Sequence, residues 1–293
     1  MPEPLIDQKF LERLERLTLH WQKSFAGLVG GHNRSRFSGA GQEFLDHRGF
    51  FPGDDLRAIN WRAFLRLEKL LLKLFQVEPR VPVRLLLDTS ASMSTGSPSK
   101  FDYARKLTAA LSYVGLVRLE TVLLQPFAGT LHDPITCSGG RHRIRPAVEF
   151  LEGLEAGGRT DFLNAIKQFV AEYPQRGLVI VVSDFFDDHD CEKPLQYLAD
   201  FGHEVFVVQL WSDDDRVPPH DGEIEIEDAE TGQIVKLNFD EEARAAYVDA
   251  FDSYARALRE LTFRKGGRYI GLSTATPVEQ AIFGAFLEAR SMQ

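Results

Sequence analysis

The chain has 293 residues, of which 44% are hydrophobic and 26% charged, a composition typical of a globular protein with a sizeable core. Its formal net charge of −9 argues against a protein that coats nucleic acid, because neutralising phosphates requires a basic surface. Two cysteines are too few for a disulfide framework or a zinc site, which favours a reducing, cytoplasmic setting. No apolar run reaches the roughly 18 residues of a membrane span, and the acidic amino terminus argues against a signal peptide.

The first 80 residues predict a small α+β lobe. Apolar residues recur at helical spacing between residues 6 and 21, which predicts a helix. Residues 29–42 are rich in Gly, Ser and Arg and predict a loop, and Pro52-Gly53-Asp54-Asp55 is a strong turn signal. Residues 61–78 fit a helix in one part and a strand in another, and their pattern does not decide between the two.

Residues 81–293 alternate between short apolar runs and amphipathic stretches. The runs are rich in leucine and β-branched residues, which predicts strands buried on both faces, at 82–87, 121–127, 178–183, 204–210 and 268–272. The amphipathic stretches predict helices at 100–118, 144–153, 161–173, 192–201, 240–263 and 277–289. This alternation implies an α/β fold, a mainly parallel sheet with helices on both faces. Apolar and polar residues alternate on each side of Glu230-Thr231-Gly232-Gln233, which predicts an inserted β-hairpin.

Polar residues follow two of the predicted strands. Asp88, Ser90 and Ser92 come directly after the first strand, Asp184 follows the run at 178–183, and Thr160 precedes a predicted helix. Ligands of open α/β sheets bind beyond the carboxyl ends of the strands, so we expect these side chains to converge. Such hard oxygen donors favour Mg²⁺, Mn²⁺ or Ca²⁺ over zinc. Because neutral hydroxyls leave much of the ion's charge uncompensated, the site suits a carboxylate supplied by a partner.

The five residues, in this order and context, resemble the metal-ion-dependent adhesion site of von Willebrand factor A domains. A closer resemblance is to a bacterial group of von Willebrand-like proteins, the domain of unknown function 58 family. It is carried by "GAGQEFLDHRGFFPGDDLRAINW", "LLKLFQVE", "LLLDTSASM" and "IEDAETGQIV". The resemblance implies a Rossmann-like von Willebrand A domain over residues 81–293, preceded by a lobe of residues 1–80. It also implies that the serines and the threonine ligate the metal directly, while the aspartates often act through water.

The same resemblance implies a function and a partner. Members of this group are commonly encoded beside MoxR-type AAA+ ATPases, and by analogy they act as adaptors or co-chaperones on client proteins. The expectation is therefore a non-enzymatic, divalent-cation-dependent protein-binding module, with the ATPase or its client supplying a carboxylate to the metal. A metal-dependent hydrolase that uses the same site is the alternative. A phosphatase of the haloacid dehalogenase type would need an acid two positions after Asp88, where this chain has Ser90.

Other interpretations stay open at this point. Asp88, Ser90 and Ser92 could form a polar turn that caps the helix beginning at residue 100. The acidic run at 184–191 could suggest a second metal, but a solvated loop after Asp184 is the favoured interpretation.

Two further segments have a structural and a functional interpretation. The basic residues between 141 and 145 fit either an exposed helix start or a surface for an anionic partner. Phe51 and Trp61 are expected to anchor the amino-terminal lobe by packing, as their aromatic side chains and the turn between them indicate.

Overall fold

The computed structural model of the protein describes residues 5–6, 9–14, 43–52, 54–56, 59–76, 82–118, 120–186 and 191–284. The chain divides into two compact units, residues 30–80 and residues 1–29 with 81–293. The sequence had placed the boundary at residue 80, with everything before it in one lobe. Leu5 and Leu14, although they precede residue 30, are buried in the core of the larger unit, where their apolar side chains are shielded from water. Residues 9–14 are helical as predicted, and the rest of the predicted helix to residue 21 lies outside the described residues, as does the loop at 29–42.

The small unit is a two-stranded sheet with one helix. Strand β1 (Glu43–Gly49) pairs antiparallel with β2 (Leu71–Gln76), and helix α1 (Trp61–Leu67) lies between them in the chain. In the described part of the ambiguous segment, residues 61–76, a helix is thus followed by a strand. Asn60 begins the helix by accepting a hydrogen bond from the Ala63 N–H at 3.3 Å, and Glu68 ends it in the left-handed conformation with φ 53°.

Two aromatic residues of the small unit, Phe51 and Trp61, are exposed. Phe51 is 65% exposed and Trp61 56%, so the expectation that they anchor this lobe by packing is wrong. The segment between them is held by polar contacts, since Arg48 makes two hydrogen bonds to Asp54, at 2.7 and 2.8 Å. Asp54 also accepts from the Phe51 N–H, which forms the predicted turn around Pro52, while Gly53 lies outside the described residues.

The larger unit is built on a six-stranded sheet in the order β10-β7-β6-β3-β4-β5. Every neighbouring pair is parallel except β4 with β5, which is antiparallel. The strands are β3 (Val83–Asp88), β4 (Val122–Phe127), β5 (Ile135–Cys137), β6 (Leu178–Ser183), β7 (Glu204–Trp211) and β10 (Arg268–Ser273). The five strands predicted for this sheet are confirmed, whereas the three-residue β5 at its edge was too short to be predicted.

Helices cover both faces of this sheet, which confirms the predicted fold class. They are α2 (Lys100–Val117), α3 (Ile144–Glu152), α4 (Phe162–Glu172), α5 (Glu192–Asp200), the short α6 (Asp213–Arg216), α7 (Glu241–Arg264) and α8 (Val278–Phe283). Side chains alternate across β3, so that Leu85 and Leu87 join a core with α2, α3 and α8, while Leu86 joins a second core with α4, α5 and α7. The predicted last helix beyond residue 284 lies outside the described residues.

The predicted hairpin is also present. Strand β8 (Gly222–Glu227) pairs antiparallel with β9 (Ile234–Phe239) as a separate two-stranded sheet between α6 and α7 in the chain. Across the residues that the structure describes, the helices are too short or too polar to traverse a bilayer.

Candidate functional site

Asp88 lies at the carboxyl end of the central strand β3 and its side chain is fully buried. Because β3 and β6 are in parallel register with Leu87 opposite Val182, the next residues, Asp88 and Ser183, meet at the same edge. The Ser183 hydroxyl donates to Asp88 Oδ2 at 2.6 Å, and the Ser90 backbone N–H donates to Asp88 Oδ1 at 2.9 Å. Both oxygens of the carboxylate are therefore held in one orientation.

Ser90 and Ser92 bring their hydroxyl groups together beside Asp88. Their Oγ atoms are 3.0 Å apart, at the start of a short 3₁₀ helix formed by Ala91–Ser94. The interpretation that this segment caps the helix beginning at residue 100 is wrong. Ser99 has that role instead, because its Oγ accepts a hydrogen bond from the Asp102 N–H at 3.1 Å.

Thr160 belongs to a loop that lies against the end of β3. The Gly157 N–H donates to the Thr89 carbonyl at 2.7 Å, and the Ala91 N–H donates to the Gly158 carbonyl at 2.9 Å. The side chain of Thr160, however, makes its hydrogen bond with a different part of the molecule. Both its hydroxyl and its backbone N–H donate to the carboxylate of Glu230, each at 2.9 Å.

Asp184 follows β6 and forms a buried ion pair. Lys100 Nζ, on a side chain only 2% exposed, lies 2.8 Å from Asp184 Oδ2 and 3.3 Å from Asp215 Oδ2. Burial lowers the pKa of Lys100, but the charges of Asp184 and Asp215 and their hydrogen bonds outweigh it, so that the pKa lies above its ordinary value. The ammonium group is therefore charged.

The charge of Asp88 is not compensated in the same way. Burial and, after it, the nearby charge of Asp184 raise the pKa of Asp88 to about 7, although hydrogen bonds from Ser183 and Ser90 oppose the shift. The single ammonium group of Lys100 is shared by two other carboxylates. Burial and the charge of Asp184 therefore disfavour the carboxylate form of Asp88, which a bound cation would stabilise.

The donor atoms present fit a hard divalent cation, because the hydroxyls and carboxylates of the five predicted residues are all oxygen ligands. In the part of the chain that the structure describes, no three His, Cys, Asp or Glu side chains form a group that could hold a metal. A cation at this edge would therefore depend on the hydroxyls of Ser90, Ser92 and Thr160 as much as on the carboxylates. The acidic run at 184–191 was considered as a second metal site. Its residues 187–190 lie outside the described residues.

Four residues of this site were missed by the sequence interpretation: Ser183, Lys100, Asp215 and Glu230. Ser183 could have been found, since aligning the ends of the two neighbouring strands places it beside Asp88. Lys100, Asp215 and Glu230 have no comparable signal, because each reaches the site from an element distant in the chain. The basic cluster is exposed at Arg141, His142, Arg143 and Arg145, which leaves both of its interpretations open.

The fold and these residues define a class of protein: a parallel α/β domain with carboxylates and hydroxyls at its strand ends. The family model described as "Protein of unknown function DUF58" matches residues 46–256. The chain belongs to this family, which confirms the resemblance seen in its motifs.

Mycobacterial relatives of this chain are described as uncharacterised proteins. An uncharacterised protein of Mycobacterium tuberculosis is 26% identical over 256 residues, covering 86% of this chain and 78% of that protein, and one of Mycobacterium bovis matches equally. An aerotolerance-related membrane protein from Bacteroides fragilis aligns with a TM-score of 0.46 at 20% identity, over 72% of this chain and 100% of the other. BatB from Bacteroides thetaiotaomicron aligns with a TM-score of 0.43 at 18% identity, over 72% and 99%. The strand order, and not these alignments, is the basis for the fold.

Proposed function

We propose that this protein is a non-enzymatic, divalent-cation-dependent protein-binding module. In this proposal Asp88, Ser90, Ser92, Thr160 and Asp184 hold Mg²⁺, or Mn²⁺ or Ca²⁺, and a Glu or Asp of the partner completes the coordination. The observation that carries the proposal is the placement of Asp88, a fully buried carboxyl group at a strand end, beside two hydroxyls whose Oγ atoms are 3.0 Å apart. A cation bound there would stabilise the carboxylate form of Asp88. It would also keep a coordination position open for a partner's carboxylate.

The partner that we propose is a MoxR-type AAA+ ATPase or one of its client proteins, with this chain as an adaptor or co-chaperone. The support is the family resemblance of the motifs, which is an argument by analogy. We place the activity in the cytoplasm, where such an ATPase has access to ATP. It is consistent with this setting that Cys137 and Cys191 are both buried and are not joined by a disulfide.

The hydrolase alternative has less support from the geometry. A nucleophilic carboxylate must be reachable by its substrate, whereas Asp88 is fully buried and both of its oxygens already accept hydrogen bonds. The protein incubated with Mg²⁺ and generic phosphoesters should be inert. Turnover that Asp88→Ala abolishes would favour the hydrolase instead.

Titration calorimetry of the full chain with Mg²⁺ tests the cation site. Ser92→Ala removes one proposed ligand and should weaken Mg²⁺ binding at least tenfold, as the loss of even indirect metal contacts does in other sites. Ser94→Ala is the matched control, because Ser94 lies on the same short helix but is exposed and bonds only the Ala91 carbonyl. Equal affinities in the two variants would contradict the assigned ligands.

Capture of the ATPase tests the partner. Binding should require Mg²⁺, be lost in EDTA and be lost in Asp88→Ala, with circular dichroism to show that the variant is folded. Partner binding that survives both EDTA and the substitution would overturn the metal-bridged model.

A further inference from the structure

The tip of the β8–β9 hairpin places a carboxylate on one of the proposed metal ligands. The Thr160 backbone N–H donates to Glu230 Oε2 and the Thr160 hydroxyl donates to Glu230 Oε1, both at 2.9 Å. The two donors of one residue thus engage both oxygens of one carboxylate. Hydrogen bonds to a charged acceptor are stronger than bonds between neutral groups. Thr160 therefore forms a two-donor site for a carboxylate.

The turn that carries Glu230 is built to present it. Asp228 Oδ1 accepts hydrogen bonds from the backbone N–H groups of Glu230 and Thr231, at 2.8 and 3.1 Å. The Gly232 N–H donates to the Asp228 carbonyl at 2.8 Å, and Gly232 has a φ of +69°, which a glycine adopts without strain. The acidic side chain is thus displayed from a compact, internally bonded turn.

The hairpin has little support between its base and its tip. In the described sheets β8 pairs with β9 alone, and the opposed residues Ile226 and Val235 remain 47% and 49% exposed. Its base is attached by an edge-on ring contact of Phe239 with Tyr247, whose centroids are 6.2 Å apart. A two-stranded hairpin is marginally stable by itself in water. Because the hairpin is a sheet separate from the six-stranded sheet, displacing its tip from Thr160 would break no strand pairing of the larger sheet.

We infer that Glu230 is an internal ligand: bound to Thr160, one of the proposed cation ligands, it occupies the edge where a partner's carboxylate would complete the coordination, and it competes with that carboxylate. The role of the partner rests on the proposed function, whereas the contact of Glu230 with Thr160 does not. The hairpin also indicates what the competing segment is like: a protein turn that presents a Glu or Asp side chain. A partner with such an acidic turn gains access to Thr160 when Glu230 is displaced.

Hydrogen exchange of the Thr160 amide, followed by NMR in EDTA, tests the internal contact. The amide should exchange at least tenfold faster in Glu230→Ala than in the wild type. Glu227→Ala is the matched control, because Glu227 is exposed on the same hairpin, and it should leave the rate unchanged. Equal rates in Glu230→Ala and the wild type would show that the contact does not form in solution, and the inference would be wrong.

A peptide of residues 226–235, labelled with fluorescein, tests the competition. Replacing residues 228–233 with Asn-Gly joins Glu227 to Ile234, which are register partners, through a two-residue turn and so removes Glu230 while keeping both strands. This shortened variant, and Glu230→Ala as a second one, should bind the peptide at least tenfold more tightly than the wild type. A peptide with Gln in place of Glu230 should bind both variants at least tenfold more weakly than the unmodified peptide does. A tenfold change is the scale expected when a hydrogen bond to a charged group is lost.

The outcomes separate this inference from the proposed function. Equal peptide affinity for the wild type and the shortened variant, or no binding to either, would overturn the internal-ligand role. Failure of Mg²⁺ to bind the wild type would overturn the cation site but would leave the exchange result in EDTA standing. The peptide titration is repeated with added Mg²⁺ and, separately, with Thr160→Val, which lacks the hydroxyl donor. The two results distinguish peptide binding through the Thr160 hydroxyl from binding through the metal.

Discussion

Replacing Lys100 with Met removes the ammonium group from the site and keeps an unbranched side chain. Nζ lies 2.8 Å from Asp184 and 3.3 Å from Asp215, and both Lys100 and Asp184 are only 2% exposed. Nζ is also 5.2 Å from the centroid of the Phe186 ring. Removing one member of a buried ion pair costs about 3–5 kcal/mol, because the other charge stays buried without compensation. We expect a loss of that size in the free energy of unfolding.

Thermal unfolding followed by circular dichroism, in EDTA, measures this loss. In a domain of this size 1 kcal/mol shifts Tm by about 2–4 °C, so Lys100→Met should lower Tm by about 6–20 °C. Lys106→Met is the matched control: Lys106 is on the same helix but exposed, and its replacement should change stability by no more than about 0.5 kcal/mol. Equal shifts in the two variants would refute the assigned role of the buried pair.

A double variant distinguishes lost charge compensation from lost packing. Lys100→Met combined with Asp184→Asn removes both charges, and replacing both members of a buried pair is far less costly than removing one. The double variant should therefore be more stable than Lys100→Met alone. Mg²⁺ should raise the Tm of Lys100→Met more than that of the wild type, because the cation takes over the compensation of the carboxylates. A double variant that is the less stable of the two would indicate packing instead.

Two further predictions concern residues away from the site. Burial and, after it, the charge of Arg84 lower the pKa of His203 from 6.5 to about 4, so the folded state keeps the imidazole neutral. The contribution of the neutral imidazole to the free energy of unfolding is fully present above about pH 6.5 and is lost as the pH falls towards 4. Urea titrations should show a loss of about 2 kcal/mol between pH 7 and pH 5. His203→Gln should reduce that loss of stability. A loss of the same size in the variant would contradict the role assigned to His203. An added Cβ at Gly271 would lie 2.5 Å from the Trp211 ring, so Gly271→Ala should cost about 1–3 kcal/mol. Gly153→Ala, with its nearest atom at 3.5 Å, should be neutral, and similar urea midpoints would refute the steric argument.

The arrangement of charges suggests why the site would need both a lysine and a cation. Lys100 compensates Asp184 and Asp215 permanently, because it is tethered and buried. Asp88 has no ion pair that the structure describes, and two hydrogen bonds from serines orient its carboxylate. In the proposed function a mobile cation would complete the neutralisation only when it is bound, so the affinity for a partner would depend on it.

The sequence by itself determined the larger fold and much of the proposed site. Buried strands such as Val83–Asp88 are encoded by continuous apolar runs, and helices by apolar residues at helical spacing, so both are local patterns. Placing Asp88 and the two serines at a strand end follows directly from where the run stops. The parallel sheet then follows from the alternation of strands and helices.

Only the tertiary structure decided what surrounds these residues. Lys100, in the first turn of a helix, would be expected at the surface, and it is buried because Asp184, 84 residues away, pairs with it. Glu230 belongs to the turn of the predicted hairpin, whose contacts the sequence left unspecified, and the folded hairpin carries it to Thr160. Phe51 and Trp61 were expected to pack and are exposed. A local pattern specifies the conformation of a segment, whereas contacts between distant segments depend on how the whole chain packs, which periodicity does not record.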